Sequence, residues 1–323
     1  MMMKNQSKTV LSASETAAEL SAQDNILIVS HKKPDGDTMG SSAALCRALK
    51  RYGKNAWLLN NSGFTARQLG YVSELTADES FVWNYTVSVD VADDDMFPDG
   101  FSGKIDLCID HHGSNPLFGE KNCVCPERAS CAEVVLAVIE NLVGDPDPKE
   151  ADLLYIGLST DCGCFRYGNT DAASHLAAAK LIECGADVYS LNQIFFEKTS
   201  AHRVALESML YEGFRSLYDG KVIVSLLTLD MLSRSGVNED DLDNIASLPL
   251  RIEGVELAVT VRELPDGSSK VSARSGKGFS CVELCSRFGG GGHPQASGCT
   301  INKAYPDAVS LLLCEIDKLW KKI

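Results

Sequence analysis

The sequence predicts a two-domain α/β protein whose N-terminal domain is a doubly wound, mainly parallel sheet. Short apolar runs alternate with helical stretches along the first half of the chain, which is typical of such a sheet. The run 25–30 has a continuously apolar centre, residues 26–29, as expected of a strand buried on both faces. In the second half, 255–262 and 269–274 read as two strands joined by a turn, which indicates a smaller α/β domain with a mixed sheet.

The N-terminal elements follow in order. Ser12 and Glu15 have the spacing of a capping box, so the first helix begins there. Apolar and β-branched runs predict strands, and Ala- and Leu-rich stretches with helical spacing predict helices. The predicted strands are 25–30, 55–59, 85–90 and 105–110, and the predicted helices are 40–52, 131–143 and 151–159.

The second half begins with a mainly helical stretch, 171–218, that contains a connector. A strand is predicted from Lys221, a helix near 238–248, and a final amphipathic helix over 305–322. We therefore expect a first domain over 1–190, a helical linker over 191–218 and a second domain over 219–323, with a cleft between the domains. With 323 residues the chain is comfortably long enough for two domains.

Composition limits the function. The chain is 45% hydrophobic and 23% charged, as in ordinary globular proteins. Its formal net charge of −14 argues against binding to long nucleic acid, which normally requires a basic surface, but allows a short anionic substrate. The opening MMMKNQSKTV lacks the apolar core of a signal peptide, and no apolar run reaches membrane-spanning length. These features predict a cytoplasmic protein that binds no membrane.

The twelve cysteines invite a structural zinc interpretation. None of the close pairs is a CxxC motif, and no second pair at finger-like spacing follows. We therefore expect free thiols and small buried residues instead of a zinc site. The close pairs are Cys123/Cys125, Cys162/Cys164 and Cys281/Cys285.

Carboxylates and imidazoles follow the predicted elements where these end. Sites in open α/β sheets form beyond the carboxyl ends of the strands, so we expect these side chains to meet at one edge. They are His31, Asp35, Asp37, Asp90, Asp110, His111, His112 and Asp161. Four of the six histidines lie in loop motifs, whereas His175 and His202 fall in helical stretches and are expected to be structural.

Carboxylate mixed with imidazole suits manganese, and also iron, cobalt or zinc. Several carboxylates crowded together repel one another unless cations separate them, which favours two metal ions. Ser30 and Ser41 offer a covalent alternative, but no Ser-His-Asp arrangement supports it.

The chain contains four motifs that together resemble those of the DHH phosphoesterase superfamily: HKKPDGDTMGS, SVD, DHHGSN and TDCGCFRYGNT. Ser272-Ala-Arg274 and the later FGGGGHPQASG resemble its DHH-associated C-terminal domain. The two-domain layout is similar to the branch that degrades nanoRNA and dephosphorylates 3′-phosphoadenosine 5′-phosphate (pAp).

The resemblance implies a role for each residue. His31 and Asp35 would bind a first metal, which Asp161 completes, and Asp37 and His111 would bind a second. Asp90 would bridge both metals and so take part in catalysis. Asp110 would orient a histidine, a common device at metal sites, and His112 would face the scissile phosphate. The implied substrate contacts are Asn115, Arg166, Arg274, Gly290, Gly291, Gly292 and His293.

The glycine loop has two interpretations. It can end a helix after Phe288, or its backbone N–H groups can approach an anion. The resemblance favours the second, with Arg274 and His293 holding a phosphate or the terminal nucleotide. Cys162 and Cys164 stand where relatives carry Thr and Ser, and their role stays open.

The predicted function is therefore a manganese-dependent phosphoesterase that hydrolyses short RNA, pAp or both, by water activated between two metal ions. The alternatives are a phosphodiesterase of cyclic or linear signalling dinucleotides and a non-enzymatic, metal-stabilised nucleotide-binding protein. The GGGGH tail argues against a family II inorganic pyrophosphatase, and the acidic charge against a long single-strand exonuclease of the RecJ type. The resemblance also suggests a homodimer.

Overall fold

The computed structural model describes residues 8–242, 244–276 and 278–321. These residues form two compact units, which divide between Lys198 and Thr199, inside the predicted linker 191–218. Each unit has its own sheet and its own buried apolar core. The α/β class and the two-domain architecture expected from the sequence are confirmed. No helix in the described part of the chain is long and apolar enough to cross a membrane.

The N-terminal unit contains a six-stranded sheet in which every strand pair is parallel. Its strands are β1 (Thr9–Val10), β2 (Ile26–Val29), β3 (Ala56–Leu58), β4 (Tyr85–Val89), β5 (Leu107–Asp110) and β6 (Lys121–Val124). Its helices are α1 (Ala13–Ala22), α2 (Gly36–Arg51), α3 (Ala66–Val72), α4 (Cys131–Val143), α5 (Pro148–Asp161), α6 (Ala172–Glu183) and α7 (Val188–Asn192). A π-helical turn, Gln193–Glu197, follows α7.

The strand order is β1-β6-β5-β4-β2-β3, so the chain leaves β2 toward β3 on one side and returns to β4 on the other. This reversal creates a crevice at the carboxyl ends of β2 and β4, where α/β proteins bind their ligands. All residues of β2, β4 and β5 are buried, as expected of strands covered on both faces. The polar loops that follow these strands therefore emerge at one edge.

Helices α2 and α5 pack unusually closely, because glycines replace side chains where they cross. A Cβ atom on Gly40 would lie 2.2 Å from the carbonyl oxygen of Leu153. One on Gly36 would lie 2.3 Å from Oγ1 of Thr160, and one on Gly157 would lie 2.8 Å from Oδ1 of Asp37. This packing brings the start of α2 against the end of α5.

The C-terminal unit begins with α8 (Ala201–Glu212), and its six strands form a mixed sheet ordered β11-β12-β10-β9-β8-β7. Only the β8–β9 pair is parallel. The strands are β7 (Arg215–Leu217), β8 (Val222–Leu227), β9 (Leu257–Glu263), β10 (Ser269–Ser275), β11 (Gly291–His293) and β12 (Ala296–Ile301). The helices are α9 (Leu229–Ser235), α10 (Cys281–Ser286) and α11 (Tyr305–Trp320).

One predicted element differs from the structure. In place of a helix near 238–248 there are two 3₁₀ segments, Asp240–Leu242 and Ile245–Arg251. Asn244 between them has a left-handed φ of +54°, which interrupts helical hydrogen bonding. Pro249 also lacks the N–H that an α-helix interior would require.

Candidate metal centre

Four segments deliver the candidate ligands to the crevice. His31 follows β2, and Asp35 caps α2 by accepting a hydrogen bond from the Thr38 N–H (3.0 Å). Asp90 follows β4, directly beyond the buried strand. The other two segments are the end of β5, which carries Asp110, His111 and His112, and the last residue of α5, Asp161.

These side chains form three overlapping groups in which all candidate ligand atoms lie within 4.8 Å of one another. The groups are His31/Asp35/Asp90, Asp37/His111/Asp161 and Asp90/His111/His112. Asp90 is shared between the His31 side and the His111 side. The arrangement is that of two neighbouring cation sites with one carboxylate between them.

His111 is the centre of the second group. Its Nε2 lies 3.9 Å from Asp37 Oδ2, 3.7 Å from Asp90 Oδ1 and 3.6 Å from Asp161 Oδ2. Its other ring nitrogen lies 3.2 Å from the carbonyl oxygen of Arg128, which fixes the ring orientation. Asp161 therefore lies with Asp37 and His111, whereas the sequence resemblance placed it with His31 and Asp35. The close packing of α2 on α5 accounts for this placement.

The carboxylates are held in an environment that disfavours their charge. Burial, reinforced by the charges of Asp37 and Asp35, raises the pKa of Asp90 well above its usual value. Burial likewise raises the pKa of Asp37 to about 6, and burial together with neighbouring carboxylates raises that of Asp161 to about 8. Such a cluster binds protons when no cation is present and releases these protons when a cation binds.

Asp90 provides the clearest test of whether cations fit. Its side chain is 3% exposed, and one oxygen, Oδ2, accepts a 2.6 Å hydrogen bond from the Thr38 hydroxyl. The other oxygen, Oδ1, is buried without a hydrogen-bond partner. A buried carboxylate oxygen with no partner carries a large desolvation cost, which a bound cation offsets. The residues present therefore fit a metal centre.

His112 and Asp110 form a second pair behind the ligands. Asp110 is fully buried, and its Oδ1 lies 2.8 Å from His112 Nδ1 and accepts a 2.8 Å hydrogen bond from the His111 N–H. The hydrogen bond to Asp110 raises the pKa of His112. Burial tends to raise the pKa of Asp110, but the hydrogen bonds from His112, Asn115 and the His111 N–H, together with the charge of His112, outweigh it and leave that pKa lowered. The pair thus favours a protonated imidazole at His112.

Asn115 supports this pair within the protein. Its amide nitrogen donates to Asp110 Oδ2 (2.6 Å) and to the Val91 carbonyl (3.0 Å), and its carbonyl accepts from the Leu117 N–H (2.8 Å). Both amide hydrogens are therefore engaged. In this structure Asn115 therefore holds Asp110, and the phosphate contact expected from the sequence stays a prediction.

Thr38 is the residue that sequence reasoning missed. Its buried hydroxyl lies 2.6 Å from both His31 Nε2 and Asp90 Oδ2, and 3.0 Å from Asp35 Oδ1. It links three ligand side chains of the first group. The only signal in the sequence was its position three residues after the helix cap Asp35.

None of the remaining predicted contacts belongs to the three groups of candidate ligands. Arg166 is exposed and its Nε donates to the Gly163 carbonyl (2.7 Å). Cys162 is buried and Cys164 is half-buried, and all twelve cysteines are free thiols. Arg274, on β10, belongs to the C-terminal unit and lines a cavity of about 170 Å³ together with Arg262 and Lys270.

The glycine loop has structural reasons for most of its glycines. Gly289 has φ +72° just after α10, so the helix does end there. A Cβ on Gly290 would lie 2.2 Å from the Gly298 carbonyl oxygen, and one on Gly292 would lie 2.6 Å from that of Ala296. Gly291 has open space beside it. With His293, Gly291 and Gly292 form the edge strand β11, and an anion-binding role for this strand stays a prediction.

Comparisons with known proteins agree with both units. The DHH family N-terminal domain matches residues 25–158 and the DHHA1 domain matches residues 219–322. The bifunctional oligoribonuclease and PAP phosphatase NrnA of Thermus thermophilus is 31% identical over 290 residues, which cover 85% of this chain and 84% of that protein.

Two solved structures share the fold. An exopolyphosphatase-related protein of Bacteroides fragilis is 23% identical, with a TM-score of 0.84 and coverage of 95% of this chain and 96% of that one. RecJ of Thermus thermophilus in complex with Mn²⁺ is 15% identical, with a TM-score of 0.53 and coverage of 96% of this chain and 55% of that one. The chain belongs to the DHH family of phosphoesterases with a DHHA1 domain, in the branch of the NrnA-type bifunctional oligoribonucleases and PAP phosphatases.

Proposed function

We propose that this protein is a manganese-dependent phosphoesterase that hydrolyses short oligoribonucleotides and pAp with two divalent cations. The observation that carries the proposal is the buried Asp90, whose Oδ1 has no hydrogen-bond partner and which belongs to both a His31 group and a His111 group. Membership of the NrnA branch supports the substrate class, and the carboxylate–imidazole donor set supports manganese.

The residues divide into two cation sites. His31 and Asp35 would hold one cation and Asp37, His111 and Asp161 would hold the other, and Asp90 lies close to both sets of ligands. Bound there, divalent cations supply Lewis-acid chemistry, acidifying water and drawing charge from the phosphoryl oxygens. No nucleophile from the protein is required.

His112 acts on the substrate. Because Asp110 holds its Nδ1 and raises its pKa, the ring carries a proton on Nε2 over a wider pH range than a free histidine. Its side chain is 37% exposed, so Nε2 can reach a bound phosphate. We assign His112 the donation of a hydrogen bond to a phosphoryl oxygen, and of a proton to the leaving oxygen.

The C-terminal unit supplies substrate contacts in this proposal. Arg262, Lys270 and Arg274 place three cationic side chains around one cavity, which suits a phosphate. Gly291 and His293 lie on the edge strand β11 of the same sheet, and Arg166 of the N-terminal unit is a separate candidate phosphate contact. The free thiols are consistent with a protein that works in the reducing cytoplasm.

A substrate panel tests the proposal. Protein loaded with Mn²⁺ is incubated with pAp, the linear dinucleotide pApA, a five-nucleotide RNA and cyclic di-AMP, and the products are separated by chromatography. We expect release of adenosine monophosphate from pAp and mononucleotides from the RNA, and loss of both in Asp90→Asn. Turnover of cyclic di-AMP alone would favour the signalling-dinucleotide alternative. Equal activity of Asp90→Asn would contradict the assignment of the site.

A further inference from the structure

Three phenylalanines of the N-terminal unit surround a cavity of about 400 Å³ that none of the roles above uses. The Phe97 ring centroid lies 5.3 Å from that of Phe101 and 5.7 Å from that of Phe118, the latter ring edge-on at 86°. All three rings are half-buried. The residues that shape the cavity are Asp94, Phe97, Phe101, Lys104, Phe118 and Glu120.

Local sequence builds this arrangement. The Phe101 N–H donates to the Pro98 carbonyl (3.1 Å), and Gly100 between them has φ +88°, the left-handed conformation that a tight turn requires here. The turn brings Phe97 and Phe101 together. A Cβ on Gly103 would lie 2.8 Å from the Phe101 ring, so the chain also passes directly beside that ring. The turn and the adjacent chain hold the rings in place, and the rings line the cavity without filling it.

Core packing does not account for these rings. The buried apolar clusters found among the described residues include none of Phe97, Phe101 and Phe118. Large aromatic side chains left half-exposed around a cavity commonly serve ligands. A loop of this length that only connected two strands would need no aromatic lining.

The cavity begins beside the metal centre. The Lys32 N–H, next to His31, donates to the Met96 carbonyl (2.7 Å), and the Lys32 ammonium donates to the Asp95 carbonyl (2.9 Å). Standard backbone geometry therefore places the Phe97 Cα within about 8 Å of the His31 Cα. From there the cavity extends along the sheet toward Ile105 and Glu120, which precede β5 and β6.

The other wall is also tied to the site. Phe118 comes three residues after Asn115, whose amide holds Asp110 at 2.6 Å. Both walls thus start from residues that touch the catalytic cluster. A substrate whose phosphate lies at the metal centre can place its next nucleoside in this cavity, against the rings that line it.

We propose that the cavity lined by Phe97, Phe101 and Phe118 binds a nucleobase of the substrate, next to the nucleotide whose phosphate is cleaved. This inference rests on the proposed function, because it assumes a short oligonucleotide at the metal centre. Bases stack on aromatic side chains with little dependence on sequence, which suits an enzyme that degrades mixed short RNA. A purine gains more than a pyrimidine because its ring surface is larger.

The charges at the rim favour a base over a phosphate. Lys104 Nζ lies 3.0 Å from Asp106 Oδ1 and 2.7 Å from Glu120 Oε2, so two carboxylates already neutralise this ammonium. Asp94 adds a further carboxylate to the lining. An anion would be repelled here, whereas the amino group of a base can donate to Glu120 or Asp94.

The experiment compares pApA with two analogues that lack one base each. For each enzyme, kcat/KM is measured on the three substrates with Mn²⁺. In the parent, removal of the base that occupies the cavity should lower kcat/KM by about five- to 150-fold, the range expected for one stacked base. In Phe97→Leu and Phe118→Leu this ratio should fall toward one.

Tyr52→Leu is the matched control, because Tyr52 is an exposed aromatic residue at the end of α2. Its ratio should equal that of the parent, and melting temperatures show which variants fold. A parent ratio retained in both folded Phe→Leu variants overturns the inference. If the parent hydrolyses none of the substrates, the proposed function fails, and equilibrium dialysis of pApA against the same variants still decides whether the cavity binds the base.

Discussion

Replacing Asp110 with asparagine tests whether the carboxylate behind His112 controls catalysis. Asparagine keeps the shape and can still accept the His111 N–H, but it removes the negative charge 2.8 Å from His112 Nδ1. Since that hydrogen bond raises the pKa of His112, the variant should hold a protonated His112 less well.

The magnitude follows from the environment of the pair. A hydrogen bond to a charged group contributes roughly 1.5–3 kcal/mol in a buried site. His112 is 37% exposed, so solvent screening reduces this effect and the lower end applies. About 1.4 kcal/mol corresponds to roughly one pKa unit and a tenfold change in rate. We therefore expect about a tenfold loss of kcat/KM near neutral pH.

The assay is the pH dependence of kcat/KM on pAp, with Mn²⁺ held at saturation for each enzyme. The limb that reports deprotonation of His112 should move to lower pH by about one unit in Asp110→Asn. Asp106→Asn is the control, because Asp106 is a carboxylate near the start of β5 that binds Lys104. An unshifted limb in Asp110→Asn, with the metal still bound, would refute the role of this pair.

Three further predictions address positioning, packing and protonation. Asn115→Ala should lower kcat more than it raises KM, because Asn115 holds Asp110; a pure rise in KM would restore it as a phosphate contact. Gly40→Ala should destabilise the protein by roughly 1–3 kcal/mol, because its Cβ would lie 2.2 Å from the Leu153 carbonyl oxygen. Thermal melting measures this, and Gly70→Ala in α3, where a Cβ meets nothing within 4 Å, should leave stability unchanged or slightly higher. Without metal, the free energy of unfolding should fall as pH rises from 5 to 8. The folded-state pKa values of Asp37, about 6, and Asp161, about 8, are raised, so the folded protein binds more protons than the unfolded chain over this range. Added Mn²⁺ should remove this fall in the melting temperature, and a metal-free melting temperature that increases over the same range contradicts the account.

The elements that position the site could be predicted from sequence because each carries a strong local signal. β2 is a continuous apolar run, β4 and β5 are rich in apolar and β-branched residues, and the capping box of Ser12 and Glu15 is present in α1 as predicted. Motif residues follow these strands directly. Once the strands are parallel, their ends must share an edge.

Other features depend on tertiary packing and could not be predicted from the sequence. β6 contains Lys121 and Asn122, and the Asn122 amide is satisfied by the folded Gly119 loop and the Thr9 carbonyl, so its strand character was hidden. β12 follows a glycine-rich stretch, and its pairing with β10 and β11 defines it.

The grouping of the ligands also needed the fold. Whether Asp161 joins His31 or His111 depends on how closely α2 and α5 approach, which glycines control at a distance in sequence. Thr38 looked like an ordinary helix residue, although its hydroxyl touches three ligand side chains. The hydrogen bond that the Asn115 amide donates to Asp110 likewise could not be predicted from the sequence, because it depends on the fold of the loop.

The central claim is that two cations lie on either side of Asp90. Crystals of the Mn²⁺-loaded protein, with diffraction data collected at the manganese absorption edge, test it most directly. The account predicts two anomalous peaks roughly 4 Å apart, one contacting His31 and Asp35 and the other Asp37, His111 and Asp161, with Asp90 touching both. A single peak, or two peaks that persist unchanged in Asp90→Ala, would contradict it.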